Sequence, residues 1–222
     1  MALILSIDAA TEKASVCLSD DEKIIGYCEN EYQKEHASFI HKAIKKLLSN
    51  TNITLQNIDA FAVTSGPGSY TGIRVAMAAA KGFCFVLSKP LITVNTLTVM
   101  ALAAKKINPN QQNVLFSPMI DARRMEVFTA LFDNNINMIV KPKAIVLSEL
   151  FLKDEINDNK VIFFGNGSSK FQPMMTHANA SFLDVVFDAK NLAELSLIEY
   201  ANSCFSNIIY SEPNYFKDFF LT

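Results

Sequence analysis

The segment Ser65-Gly66-Pro67-Gly68-Ser69-Tyr70-Thr71-Gly72-Ile73-Arg74-Val75-Ala76-Met77-Ala78-Ala79-Ala80-Lys81-Gly82-Phe83 sets the reading of the chain around it. Three of the protein's seven glycines fall at 66, 68 and 72, between the apolar run Phe61-Ala62-Val63 and a long apolar helical pattern. Glycines at such a junction permit positive φ and close backbone approach, so the segment reads as strand, tight loop and helix. A loop of this kind can cradle an anion at a helix N-terminus or can simply seat the helix on its sheet. The Lys-Ser/Thr ending of a phosphate-binding P-loop is absent.

The helix carries a second message. Between Thr71 and Leu87 only Arg74 and Lys81 are charged, and their seven-residue spacing sets them on one stripe. A helix otherwise apolar all round, with alanines at 76, 78, 79 and 80, is expected to pack on its own sheet and on a partner chain as well. Two charges and Gly82 interrupt a run already shorter than the roughly 20 residues of a membrane span.

At 222 residues, half of them apolar, the chain can hold one large domain or two small ones. The polar stretch Asn108-Pro109-Asn110-Gln111-Gln112-Asn113 marks the expected boundary, with lobes at 1–107 and 108–222. Net charge is −2 and no basic run forms a stripe, so the chain alone should bind nucleic acid weakly. The four cysteines, 17, 28, 84 and 204, form no CxxC pair and sit in apolar contexts, as reduced thiols do. The N-terminus shows neither a basic n-region nor a cleavage site, and a cytoplasmic location is expected.

The first lobe opens with strands at 3–8, 14–19 and 23–28, spaced as an antiparallel meander. Asp8 and Thr11 flank the first turn, where they could face a metal-bound phosphate or bond the turn's own backbone. Glu35 to Asn50 reads as an amphipathic helix, with His36, Ile40, Ala43, Ile44 and Leu47 on one face, Phe39 beside them, and Lys42, Lys45 and Lys46 turned away. His36 and His41 are five apart, roughly 140° around the helix, and cannot chelate one ion from one face. In the second lobe, strands at 114–120 and 125–132 flank the turn Asp121-Ala122-Arg123-Arg124, loosely echoing the first lobe. Helices are expected at 148–157 and 191–204, a strand at 161–164, a second glycine loop at 165–169, and an extended aromatic tail at 212–220.

Three pieces together, Ile7-Asp8-Ala9-Ala10-Thr11, Gly66-Pro67-Gly68-Ser69-Tyr70-Thr71-Gly72-Ile73-Arg74 and Ile120-Asp121-Ala122-Arg123-Arg124-Met125-Glu126-Val127, closely resemble the TsaB (YeaZ) family of tRNA threonylcarbamoyladenosine biosynthesis. Phe216-Lys217 departs from the Leu-Arg expected there. The resemblance implies an α/β, two-lobed ASKHA fold (actin-like ATPase, ribonuclease H-like) with mixed sheets and flanking helices. It further implies a non-catalytic accessory subunit that binds and activates TsaD, a longer paralogue that transfers the threonylcarbamoyl group to tRNA adenosine. TsaE, a small ATPase, would join them, with ATP and metal held by the partner subunits and tRNA met only through the complex. The partner interface would lie on the first-lobe helices, around His36, Phe39, Ile40, Ala43 and Ile44 and around Arg74, Met77, Ala78 and Lys81, a face that could also pair with a second copy as a homodimer. Asp8, Thr11, Gly66, Gly68 and Ser69 would be a remnant nucleotide site. The residues supply no HExxH, acid/base pair or activated nucleophile, so no catalytic or metal-ligating residue is assigned. The competing reading is a small ASKHA-type ATP-dependent phosphotransferase using Asp8, Thr11 and the 66–68 loop.

Overall fold

A computed structural model describes residues 1–30, 36–109 and 113–216. The described chain divides into two compact units, one built from Met1–Thr96 and Phe187–Asn214, the other from Leu97–Val186 with Tyr215 and Phe216.

In the first unit, strands β1 (Leu3–Asp8), β2 (Ser15–Asp20), β3 (Lys23–Glu29), β4 (Ala60–Thr64) and β5 (Leu91–Val94) form one sheet in the order β3-β2-β1-β4-β5. β1 runs antiparallel to β2 and parallel to β4, and β4 is parallel to β5. Helices α1 (His36–Thr51) and α2 (Tyr70–Leu87) cover one face. There Leu5, Ile7, Val16, Leu18, Phe61 and Val63 meet Ile40, Ile44, Leu47, Met77 and Ala80 in one core. The opposite face is closed by α6 (Ala189–Ala201), which packs on β1, β2, β4 and β5 and buries Cys17 with Ala189 and Ala193. Burial on both faces explains why Leu3–Asp8 shows no clean alternation: residues pointing either way are inside.

In the second unit, β6 (Val114–Asp121), β7 (Glu126–Phe132), β8 (Met138–Val146), β9 (Lys160–Phe164) and β10 (Ala180–Leu183) are ordered β10-β9-β6-β7-β8. β6 is antiparallel to β7 and parallel to β9, and β9 is parallel to β10. Counted from its own first strand, this is the order and the direction pattern of the first unit, so the echo between the two openings extends to whole sheets. Helix α3 (Thr96–Ile107) precedes β6, and the short helices α4 (Lys153–Asp158) and α5 (Ser168–Phe171) flank β9. Phe163, Phe171 and Phe182 interlock with Phe151 in its core, with ring centroids 5.1 to 6.3 Å apart.

Two boundaries differ from the sequence reading. The division falls between Thr96 and Leu97 rather than at 107/108, because α3 groups with the second unit. The helix near 191–204 begins at Ala189 and belongs to the first unit, where the Ala189 N–H donates to Ser15 Oγ at 2.9 Å. Glu35, the expected start of α1, lies outside the described residues, as do Lys217–Phe220 of the aromatic tail.

Candidate functional site

The glycine loop is built by close backbone contact. Ser69 caps α2, its Oγ accepting from the Gly72 N–H at 3.2 Å, while its own N–H donates to the Ala10 carbonyl at 2.7 Å. A Cβ at Gly68 or at Gly72 would stand 2.1 Å from the carbonyl oxygen of Ala10 or Ala9, respectively. Gly66 is pressed by the C-terminal segment, where the Asn214 N–H donates to the Ser65 carbonyl at 2.7 Å. The glycines thus seat the loop on the β1 turn and under residue 214. The N–H groups of Ser69, Gly72 and Ile73, which an anion at this helix start would need, are engaged within the loop and its neighbour.

Asp8 lies beneath the turn, 1 % exposed, its Oδ1 accepting from Thr64 Oγ1 at 2.8 Å and from the Ala10 N–H at 3.1 Å. Burial pushes its carboxyl up to about 6, against the pull of the Thr64 and Ala10 hydrogen bonds and with a further push from Asp188. Thr11 follows, half-exposed. Of the two readings left open for Asp8, the bonds it makes are those of a turn clamp. Among the described residues, no three His, Cys, Asp or Glu side chains come together as a metal cluster.

The outer side of α2 is different in kind. Its inner stripe, Ile73, Ala76, Met77, Ala80 and Cys84, is buried in the core. Its remaining turns, with His41 of α1 and Leu55, line an apolar groove of about 620 Å³ formed by Val75, Ala78, Ala79, Gly82, Phe83, Val86 and Leu87. Phe83 roots the groove, stacked on buried Phe61 at 5.3 Å and edge-on to His41 at 6.0 Å. Val86 and neighbouring Phe85 are each 78 % exposed. At Gly82 an added Cβ would meet nothing within 4 Å. A mid-helix glycine costs about 1 kcal/mol against alanine, and none of the packing among the described residues calls for it. By length and composition α2 could cross a membrane, yet its inner stripe completes a protein core.

The family described as "TsaD: tRNA N6-adenosine threonylcarbamoyltransferase" matches residues 18–216. The chain belongs to this family, and is of its TsaB (YeaZ) type. The tRNA threonylcarbamoyladenosine biosynthesis protein TsaB of Escherichia coli is 35% identical over 153 residues, covering 69% of this chain and 63% of that protein. TsaB of Haemophilus influenzae is 28% identical over 233 residues, covering 97% of this chain and 93% of that protein. The solved structure of YeaZ from Pseudomonas aeruginosa superposes with a TM-score of 0.78 at 22% identity, over 97% of this chain and 100% of that one. The fold is accordingly the two-lobed ASKHA architecture, each lobe carrying the repeated five-stranded order described above.

The structure separates the residues expected at a partner interface on α1 and α2 into buried and exposed ones. Ile40, Ala43, Ile44 and Met77 are at most 4 % exposed and face their own unit's core, because the regular apolar spacing that drew attention to them is the spacing of a core stripe. Phe39 is half-buried against that core. Lys81 turns aside to donate to the carbonyls of Ile209 and Ser211, at 3.2 and 2.9 Å. Arg74, stacked over Tyr70 at 4.0 Å, and Ala78 are exposed as expected, and His36 begins α1. Val75, Ala79, Gly82, Phe83, Val86 and His41, which line the groove, were not among the residues expected, and the lone glycine inside an apolar helix was the available signal.

Proposed function

We propose that this chain is the non-catalytic accessory subunit of a tRNA threonylcarbamoyladenosine synthase, docking a TsaD-family paralogue through the α2 groove and activating it. One observation carries the reading: a helix whose inner stripe completes the core still presents a continuous apolar groove around Gly82 and Val86. The names of the relatives, biosynthesis proteins of tRNA threonylcarbamoyladenosine, give the pathway, and the TsaD family supplies the partner's kind. ATP, metal and the transferred group are assigned to the partner subunits, with a TsaE-like ATPase completing the set. A homodimer through the same groove would compete with the heterodimer.

The test is reconstitution with the TsaD-family paralogue, a TsaE-like ATPase, ATP, threonylcarbamoyl-adenylate precursors and tRNA, reading modified adenosine. Modification should require this chain, while the chain alone turns over no ATP. Val86→Asp places a carboxylate where an apolar partner must close, and should weaken the pairing about 100-fold or more, with modification falling in step. Undiminished modification without the chain, or with Val86→Asp at limiting concentration, would overturn the proposal.

A further inference from the structure

The second unit carries a surface feature of its own. In the turn joining β6 to β7, Arg123 and Arg124 both sit in the left-handed region, at φ 66° and 49°. That region suits glycine and asparagine, and two successive arginines in it are against the backbone's preference. Strain of this kind persists where surroundings fix it, and it clusters at functional positions.

The surroundings here do fix it. The Asp121 carboxylate accepts from the Arg123 N–H at 2.6 Å and from Lys170 Nζ, which also donates to the Arg124 carbonyl at 2.6 Å. The Asp121 N–H donates to Asn166 Oδ1 at 2.9 Å. The Gly167 N–H donates to the Met119 carbonyl at 3.0 Å, and a Cβ at Gly167 would come within 3.1 Å of Ile120 and Asp121 backbone atoms, so the 165–170 loop is clasped against the turn. These contacts hold the backbone of the turn and the Asp121 side chain beside it. Lys170 pairs with the Asp121 carboxylate, which the Arg123 charge also helps to hold ionised, and Glu126 is half-buried with an interaction of its own. Both arginines are exposed, and neither guanidinium takes part in a hydrogen bond or ion pair among the described residues. The result is a braced turn presenting two adjacent planar cations to solvent.

We infer that this turn is an anion-binding site for the phosphodiester backbone of RNA, which Arg123 and Arg124 grip while the clasp keeps them together. Guanidinium pairs phosphate oxygens bidentately, and contacts to phosphates position a nucleic acid without reading its sequence. The choice of RNA among polyanions rests on the tRNA-modification reading above. With a net charge of −2 and no basic stripe, such a site is an auxiliary contact that adds to grip supplied elsewhere in a complex.

The experiment measures filter binding of an unmodified tRNA between 50 and 200 mM KCl, for the chain alone and for its complex with a TsaD-family paralogue. Arg123→Ala/Arg124→Ala should weaken tRNA binding by about tenfold at low salt and reduce the slope of log K against log salt by about two, one for each phosphate no longer neutralised. Arg123→Asn/Arg124→Gly gives the turn residues that its backbone prefers. It should raise the melting temperature by a few degrees while binding tRNA as weakly as the double alanine variant, which separates the guanidinium groups' own role from any damage to the fold. Wild-type affinity and slope in either variant would overturn the inference. Because the chain-alone titration needs no paralogue, a failure of the TsaD pairing would leave this measurement intact.

Discussion

Asp8 shows how one residue type at a turn can carry two meanings until its bonds are known. An aspartate ending the first strand beside a glycine loop admits a phosphate-site reading, and from sequence that reading stands beside a turn clamp. In the structure Thr64 Oγ1 and the Ala10 N–H converge on the same carboxylate oxygen in a buried place, the bonds a turn clamp makes. Folding raises this carboxyl from 3.8 to about 6, chiefly through desolvation. Between those values the native chain holds a proton that the unfolded chain has released, so the favourable contribution is full below about pH 4 and is lost as pH rises through 6. A rise of this size corresponds to about 3 kcal/mol by pH 7. Asp8→Asn keeps an acceptor oxygen and removes the charge. Its melting temperature should be flat between pH 4 and 7 where the wild type declines, and at pH 7 it should exceed the wild type by several degrees. Parallel pH profiles for the two proteins would show that Asp8 is not the group responsible.

Helix α2 bears two glycines with opposite meanings, and substitution separates them. Gly72 lies in the first turn with the Ala9 carbonyl against it, so Gly72→Ala, nominally helix-favouring, should destabilise by about 3 kcal/mol or more because backbone must move. Gly82 faces open space, so Gly82→Ala should stabilise the isolated chain by about 0.5–1 kcal/mol, and Gly82→Leu should obstruct partner docking without harming the fold. Thermal melts of the three variants, with a pairing assay for the last, test the assignment. The helix itself was readable because capping residue, glycines and apolar run agree along the sequence. Strand β8 was not: Lys141, Pro142 and Lys143 stand mid-strand in Met138–Val146, a combination that argues against a strand until it is known to be an edge, where proline and lysine discourage further pairing. Strand β10, four residues long and half-exposed, likewise takes its identity from β9 beside it rather than from its own pattern.

The chain as a whole closes its first unit with its far end, a fact that no local pattern announces. Helix α6 lies some 170 residues from the Ser15 hydroxyl that accepts from its first N–H, and its apolar residues Leu192 and Ala193 would suit either unit equally. Only the sheet's second buried face calls for it. The segment after it is fastened to the same unit, through the Leu91–Ser206 bridge, the Thr93–Ser206 hydroxyl pair at 2.7 Å, the two Lys81 bonds and Asn214 on Ser65. Cys17 reports on this closure, since it is fully buried against Ala189 and Ala193 and its thiol is pushed up to about 12, first by burial and then by Asp188. In the intact chain a thiol reagent at pH 8 should modify exposed Cys204 promptly and leave Cys17 and Cys84 untouched. Ending the chain after Val186 removes both the burial and Asp188, so the thiol returns toward its ordinary value of about 8.5 and its reactive thiolate fraction rises on the order of a thousandfold. Mass-spectrometric mapping should then find Cys17 labelled as fast as a free thiol, together with an absent or strongly lowered melting transition for the first sheet. A Cys17 that stayed protected would mean that the first sheet keeps its second face closed without the returning helix, and that α6 is not what seals it.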